Sequence, residues 1–120
     1  NINFVYMNRG WIEKNRETAE KFIKALCEAN DMINNDRPAA AKLISKFLKM
    51  PIALTTELMP KLEYDMDWQA RSFDAIKDSE HLLAEQKKLK APLDLNKYVY
   101  MDLLKAVRPA TVKVSGVPAK

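Results

Sequence analysis

The side chains able to do chemistry in this 120-residue sequence are few and scattered. His81, the single histidine, stands mid-helix among Ser79, Glu80 and Leu82 with no partner to make it a general base, and reads as a surface residue. Cys27, the single cysteine, cannot close an internal disulfide; next to Leu26 on an apolar helix it reads as a small packing residue. Asp65 and Asp67 are close carboxylates in an extended segment and are not read as an acid/base couple. Metal binding needs several His, Cys or carboxylate ligands at recognisable spacing, and none is found. The two glycines, Gly10 and Gly116, are too far apart for a phosphate-cradling loop. This inventory predicts no catalytic residue, no metal, no cofactor and a protein that is not an enzyme.

Composition narrows the class. Hydrophobic residues at 48% and charged residues at 30% are ordinary for a folded chain, and the length suits one compact unit. Twenty basic against sixteen acidic residues leave a mild net charge of +4. Lys87, Lys88 and Lys90 cluster where a helix end would welcome cations, and no basic stripe interleaved with aromatic residues argues for nucleic acid. No apolar run approaches the roughly 20 residues of a membrane-spanning helix. The first residue is Asn1, with no basic-then-apolar segment before it, which reads as a chain that was processed or cut from something larger.

The elements that would position any site are mainly helical. Ile2-Asn3-Phe4-Val5-Tyr6 predicts one strand over residues 2–7, whose ladder partners are missing from the sequence. Asn8 and Gly10 suit a turn, Trp11 and Ile12 a short helical turn, and Asn15 a cap for the helix that follows. Two amphipathic helices come next, over about 16–34 and 37–49. The first has an apolar stripe of Phe22, Leu26, Ala29 and Ile33, with Ala19, Ile23 and Met32 beside it; the second has Leu43, Ile44, Phe47 and Leu48. Asp36 is the expected N-cap of the second, and Pro38 falls in its first turn. A short helix over 52–59 should end before Pro60, followed by an extended connector over 61–66. Asp67 is the expected cap of a fourth helix from Trp68 to about Leu89, burying Phe73, Ile76, Leu82 and Leu83. A fifth follows Asp94 with Tyr100, Leu104 and Val107 on one face. The expected fold is thus mainly α, about five helices and one N-terminal strand, over residues 1–109. Residues 110–120 form a tail that is a strand near Thr111 to Val114, a loop, or frayed.

The order of these elements carries a resemblance. A strand, then Trp11-Ile12-Glu13-Lys14-Asn15, then Glu17-Thr-Ala-Glu-Lys-Phe-Ile-Lys-Ala-Leu-Cys-Glu-Ala29 and Asp36-Arg-Pro-Ala-Ala-Ala-Lys-Leu-Ile44, resembles the C-terminal third of ABC-transporter substrate-binding proteins. The branch is the one for sulfonates, taurine, nitrate and the pyrimidine precursor of thiamine. Met59-Pro60-Lys61-Leu62-Glu63-Tyr64 and Leu89-Lys90-Ala91-Pro92-Leu93-Asp94-Leu95 extend the likeness to about residues 4–107, and Arg16 departs from it where proline is usual. The motifs concern spacing and packing and contain no reactive group.

This resemblance implies a fragment of a two-lobe α/β fold of the periplasmic-binding-protein kind, which closes on its ligand by a hinge. It implies a small anionic or heteroaromatic ligand, an ABC permease as partner, and a bacterial periplasmic or cell-surface location, with contact to the membrane only through the permease or a lipid anchor elsewhere. It also accounts for the unpaired strand. Of the residues present, Asn8 and Arg9 at the strand exit are expected to meet an anion, and Tyr64 and Trp68 to stack on a ligand. A second reading makes the chain an all-helical interaction or dimerisation module, since a fragment with an open strand edge tends to self-associate into a homodimer.

Overall fold

The computed structural model describes residues 3–114. Its described part is mainly helical, and contacts group the residues into two units: those through Lys21 together with those from Asp67 onward, and Phe22–Met66.

In the first unit, α1 (Arg9–Lys14) starts where the Asn8 side chain accepts the Trp11 N–H at 3.0 Å, which supplies one of the donors a helix start leaves without a partner. Ile12 is buried while Trp11 is 43% exposed. Asn15 differs from its expected role. Its side-chain amide donates back to the Trp11 carbonyl at 2.9 Å, so it closes α1, and only its backbone carbonyl serves α2 by accepting the Ala19 N–H. α2 (Arg16–Asn35) begins here, with Ala19 fully buried.

The predicted N-terminal strand is absent. Residues 3–8 carry no strand, Ile2 lies outside the described residues, and the isolated pairing of Trp68 with Val112 is the one β-bridge among the described residues. A strand needs a ladder, and this segment has none; Phe4 is instead held through its ring, 5.6 Å from that of Trp68.

Trp68 explains a second correction. Its N–H donates to the Thr111 carbonyl and its carbonyl accepts the Lys113 N–H, both at 2.9 Å, so its backbone is extended and cannot begin a helix. α5 (Ala70–Glu85) therefore starts two residues later, capped by Gln69, whose N–H donates to Ser72 Oγ at 3.2 Å. Asp67 is not the cap. Within α5, Phe73 is fully buried and Ile76 half-buried, but Leu82 and Leu83 face solvent, contrary to expectation. The helix stops at Lys87, whose φ of 55° is left-handed, with the Lys88 N–H reaching the Leu83 carbonyl.

The expected fifth long helix is two short ones, α6 (Leu95–Tyr98) and α7 (Asp102–Val107). Asp94 caps α6 as its sequence suggests, accepting the Asn96 N–H at 3.1 Å. Val99, β-branched and between two tyrosines, takes extended backbone (φ −87°, ψ 121°) and interrupts the run. Leu95 and Leu103 are buried. A 3-10 turn over Pro109–Thr111 leads to the bridge residue Val112, so the tail near Thr111 is part turn and part pairing; Gly116 and Pro118 lie outside the described residues.

The second unit holds the rest of α2, then α3 (Arg37–Leu48) and α4 (Ile52–Leu58). Asp36 caps α3 by accepting the Ala39 N–H at 3.0 Å, and Pro38 sits in its first turn. The two stripes expected in the core are rotated. In α2 the buried line runs Ile23–Cys27, with Leu26 and Ile33 half-buried, while Phe22 is 49% and Met32 42% exposed. In α3 the packed face is Ala40, Ala41 and Ile44, set against Met59 and joined by Ile33. Alanines let helices approach closely, and that face wins over the larger Leu43, Phe47 and Leu48, which stay exposed.

Pro60 does not eject the chain at Met59. Met59 remains helical (φ −54°, ψ −41°) and a 3-10 turn over Met59–Lys61 follows before Leu62 turns extended. The connector beyond is tied down by Asn34, whose amide donates to the Tyr64 carbonyl at 2.7 Å.

α3 ends on Lys49, which is left-handed at φ 53°, with the Met50 N–H and the Ser45 hydroxyl completing the cap. A lysine there carries the Cβ strain that glycine avoids. Lys49→Gly is expected to raise stability by about 0.5–1 kcal/mol, seen as a higher thermal midpoint. A lowered midpoint would contradict the left-handed cap.

Candidate functional site

The most chemically suggestive arrangement among the described residues is two arginines on one tyrosine. Local geometry puts them there. Asn8 starts α1 at Arg9, and the turn at Asn15 restarts helix at Arg16, so the two guanidinium groups lie at the beginnings of successive helices. Tyr100 comes from the gap that extended Val99 opens between α6 and α7. The Arg9 guanidinium carbon lies 5.3 Å from the centre of the Tyr100 ring, within cation–π range. Arg16 Nη1 donates to the Tyr100 hydroxyl at 3.2 Å.

Charge at this cluster is uneven. Arg16 Nε also donates to Glu20 at 2.8 Å, and that hydrogen bond first, aided by the charge of Glu20 and by Tyr100, holds its guanidinium above the usual arginine range. Glu17, the residue after Arg16, is committed to Lys21 at 2.6 Å. Arg9 has no carboxylate partner among the described residues. Arg9 is exposed and Tyr100 half-buried, so solutes can reach the edge where they meet.

A second cluster surrounds Trp68. Its ring lies 5.4 Å from that of Phe73, edge to face, and tilted against Phe4, which gives three aromatic rings in favourable offset contact. Its Nε1–H is buried with no hydrogen-bond partner among the described residues. Beside it the partly buried Asp67 accepts from the Gln69 side chain and pairs with Arg71 at 3.6 Å and Lys113 at 3.9 Å. Asp65 is exposed.

A third feature is an open cavity of about 410 Å³ beside the end of α5, lined in part by Lys77, Glu80, His81, Lys90 and Pro92. Glu80 is used structurally, accepting the Leu93 N–H at 2.7 Å. His81, whose side chain is 79% exposed, lies 3.3 Å from Glu85. Among the described residues no three His, Cys, Asp or Glu side chains gather where a metal could sit, and no helix is long and apolar enough to cross a membrane.

The four residues expected to contact a ligand have separate structural settings. Asn8 is a helix cap, Arg9 lies on Tyr100, and Trp68 is packed between Phe4 and Phe73; these three belong to the first unit. Tyr64 belongs to the second, half-buried, with its carbonyl taken by Asn34. Arg16 and Tyr100 escaped the sequence reading, in which Arg16 gave no signal beyond its charge. Tyr100 gave none, because it was expected within a helix face.

No protein-family model, curated protein or solved structure matches this chain.

The aromatic packing has a direct optical consequence. In a Trp11→Phe variant, the remaining Trp68 is expected to emit at a shorter wavelength than free tryptophan and to resist quenching by iodide. Quenching as efficient as that of free tryptophan would rule out the packed ring.

Proposed function

We propose that this chain is a helical, non-catalytic part of a solute-binding protein that captures a small anionic or heteroaromatic ligand and passes it to an ABC transporter outside the bacterial cytoplasmic membrane. The observation that carries the reading is the apolar surface left open. Among the described residues ten apolar side chains are buried, four of them alanine or cysteine, against fifteen large ones that are exposed, an imbalance a self-sufficient core avoids. On α3, Leu43 is 56% and Phe47, one turn on, 85% exposed; on α4, Leu54 and Leu58 are open while neighbouring Thr55 and Met59 are buried. In a two-lobe binding fold such helices lie on the faces of a sheet, and a sheet supplied by other parts of the polypeptide would cover them. The order of motifs over about residues 4–107 supports the same assignment.

Ligand capture in this reading belongs to the intact parent, since a site between two lobes needs both. Thermal shift of the parent against sulfonates, nitrate and thiamine precursors tests it. One of these is expected to raise the melting point in a concentration-dependent way, as a ligand binding only the folded state must. A parent whose melting point responds to none of them sinks the assignment.

Phe47 also favours a second reading, a module that pairs with a copy of itself. Light scattering then finds a dimer, and Phe47→Lys is expected to return it to monomer, because a buried lysine without a partner is strongly disfavoured at an interface core. A monomer at high micromolar concentration removes this reading.

A further inference from the structure

We propose that the corner between α3 and α4 docks this chain on an anionic lipid surface, with Leu48, Pro51 and Ile52 entering the headgroup layer and Lys42, Lys46 and Lys49 held at its phosphates. Charge carries the argument first. Residues 37–56 contain four cations, Arg37 and these three lysines, and no carboxylate; of the twenty basic residues, the sixteen elsewhere are matched by the sixteen acidic ones. The whole net charge of +4 therefore belongs to this stretch. None of its four cations has an ion-pair partner among the described residues, and all four are exposed.

The corner itself suits a layer poor in water. Leu48 is 52% and Ile52 47% exposed, and Pro51 between them is exposed as well. Its backbone is already satisfied. The Met50 N–H donates to the Ser45 carbonyl at 3.0 Å, the Ser45 hydroxyl donates to the Met50 carbonyl at 2.6 Å, and the Thr55 N–H and hydroxyl reach the Pro51 carbonyl at 3.1 and 3.2 Å. Proline has no N–H, so neither Met50 nor Pro51 brings an unpaired backbone group to the interface. Lysines around such a tip lay their carbon stems along the apolar side chains and keep their charge at the phosphates.

Other occupants fit less well. A second copy meeting this corner would set lysine against lysine. A folded acidic protein would be met better by arginine, whose fork makes paired contacts, whereas lysine, depleted at protein interfaces, suits a diffuse negative field. Nucleic acid gains nothing from Leu48 and Ile52. Leu43 and Phe47 lie along the flank of α3 that the sheet of the solute-binding reading would cover, while the corner stands at the end of both helices. The inference thus goes beyond that reading and does not rest on it.

The test sediments the full chain with vesicles of phosphatidylcholine, with and without phosphatidylglycerol, at low and high sodium chloride. Retention is expected on the vesicles that contain phosphatidylglycerol, to fall as salt rises, and to be absent on phosphatidylcholine alone. Lys42→Glu combined with Lys46→Glu is expected to weaken retention about tenfold or more, and Lys42→Arg combined with Lys46→Arg to preserve it. Lys87→Glu combined with Lys88→Glu makes the same change of net charge at the end of α5 and is expected to weaken retention far less; equal losses from the two pairs overturn the corner in favour of overall charge. Ile52→Trp in a Trp11→Phe chain reports insertion: its emission is expected to move to shorter wavelength on the anionic vesicles and to be quenched by lipids brominated in the acyl chain. Emission unchanged in the vesicle-bound chain overturns the docking mode. An unaltered chain that fails to sediment with anionic vesicles, or that binds polyglutamate or DNA in preference to them, overturns the proposal without reliance on any variant.

Discussion

The first unit depends on two hydrogen bonds at one residue. With its N–H given to Thr111 and its carbonyl taken by Lys113, Trp68 is locked in extended backbone, and that conformation decides what lies around it. It delays α5 to Ala70, turns the indole toward Phe4 and Phe73, and brings Lys113 within 3.9 Å of Asp67. Phe73, the largest fully buried side chain of the unit, packs edge-on against that indole. Without the bridge, the Asp67 carboxylate would lose one of its two cations and the aromatic trio its central ring. The indole N–H, buried with no hydrogen-bond partner among the described residues, is the counterweight to this packing.

The second unit rests on a steric choice. Helix–helix packing favours the face that lets backbones come closest, and in α3 this is Ala40–Ala41–Ile44 against Met59. The larger side chains of the same helix are left outside, and with them much of the apolar area of α4. Small residues therefore set the internal geometry of the unit, and the bulky ones are available to whatever lies beyond it.

Local signals in the sequence carried far. The bounds of α2 and α3, the cap at Asp36, the proline in the first turn of α3 and a helix start just after Asp94 follow from residue chemistry within a few positions, and the structure agrees with them. Burial was harder to foresee, because periodicity identifies an apolar stripe without saying which part of it meets a neighbour: Phe22 and Phe47 fit a stripe and stay exposed, while two alanines do the packing. Long-range pairing was not legible at all. Nothing local to Trp68 announces a partner at Val112, so a helix start was expected where an extended residue stands. The arginine pair was half-visible for the same reason: Arg9 and Arg16 are close in sequence, but Tyr100, which joins them, comes from a break between helices that β-branched Val99 imposes.

The parallel bridge also sets an order of events. It closes a loop of about forty residues, a contact whose entropic cost is met late, whereas α3 and α4 are joined by a few residues and gain their packing early. Until the bridge to Val112 forms, the indole of Trp68 lacks the setting that holds it against Phe4 and Phe73, while Phe47 is open throughout. A nascent chain of this kind offers a chaperone two bulky aromatic handholds, one that vanishes when the ring trio closes and one that persists.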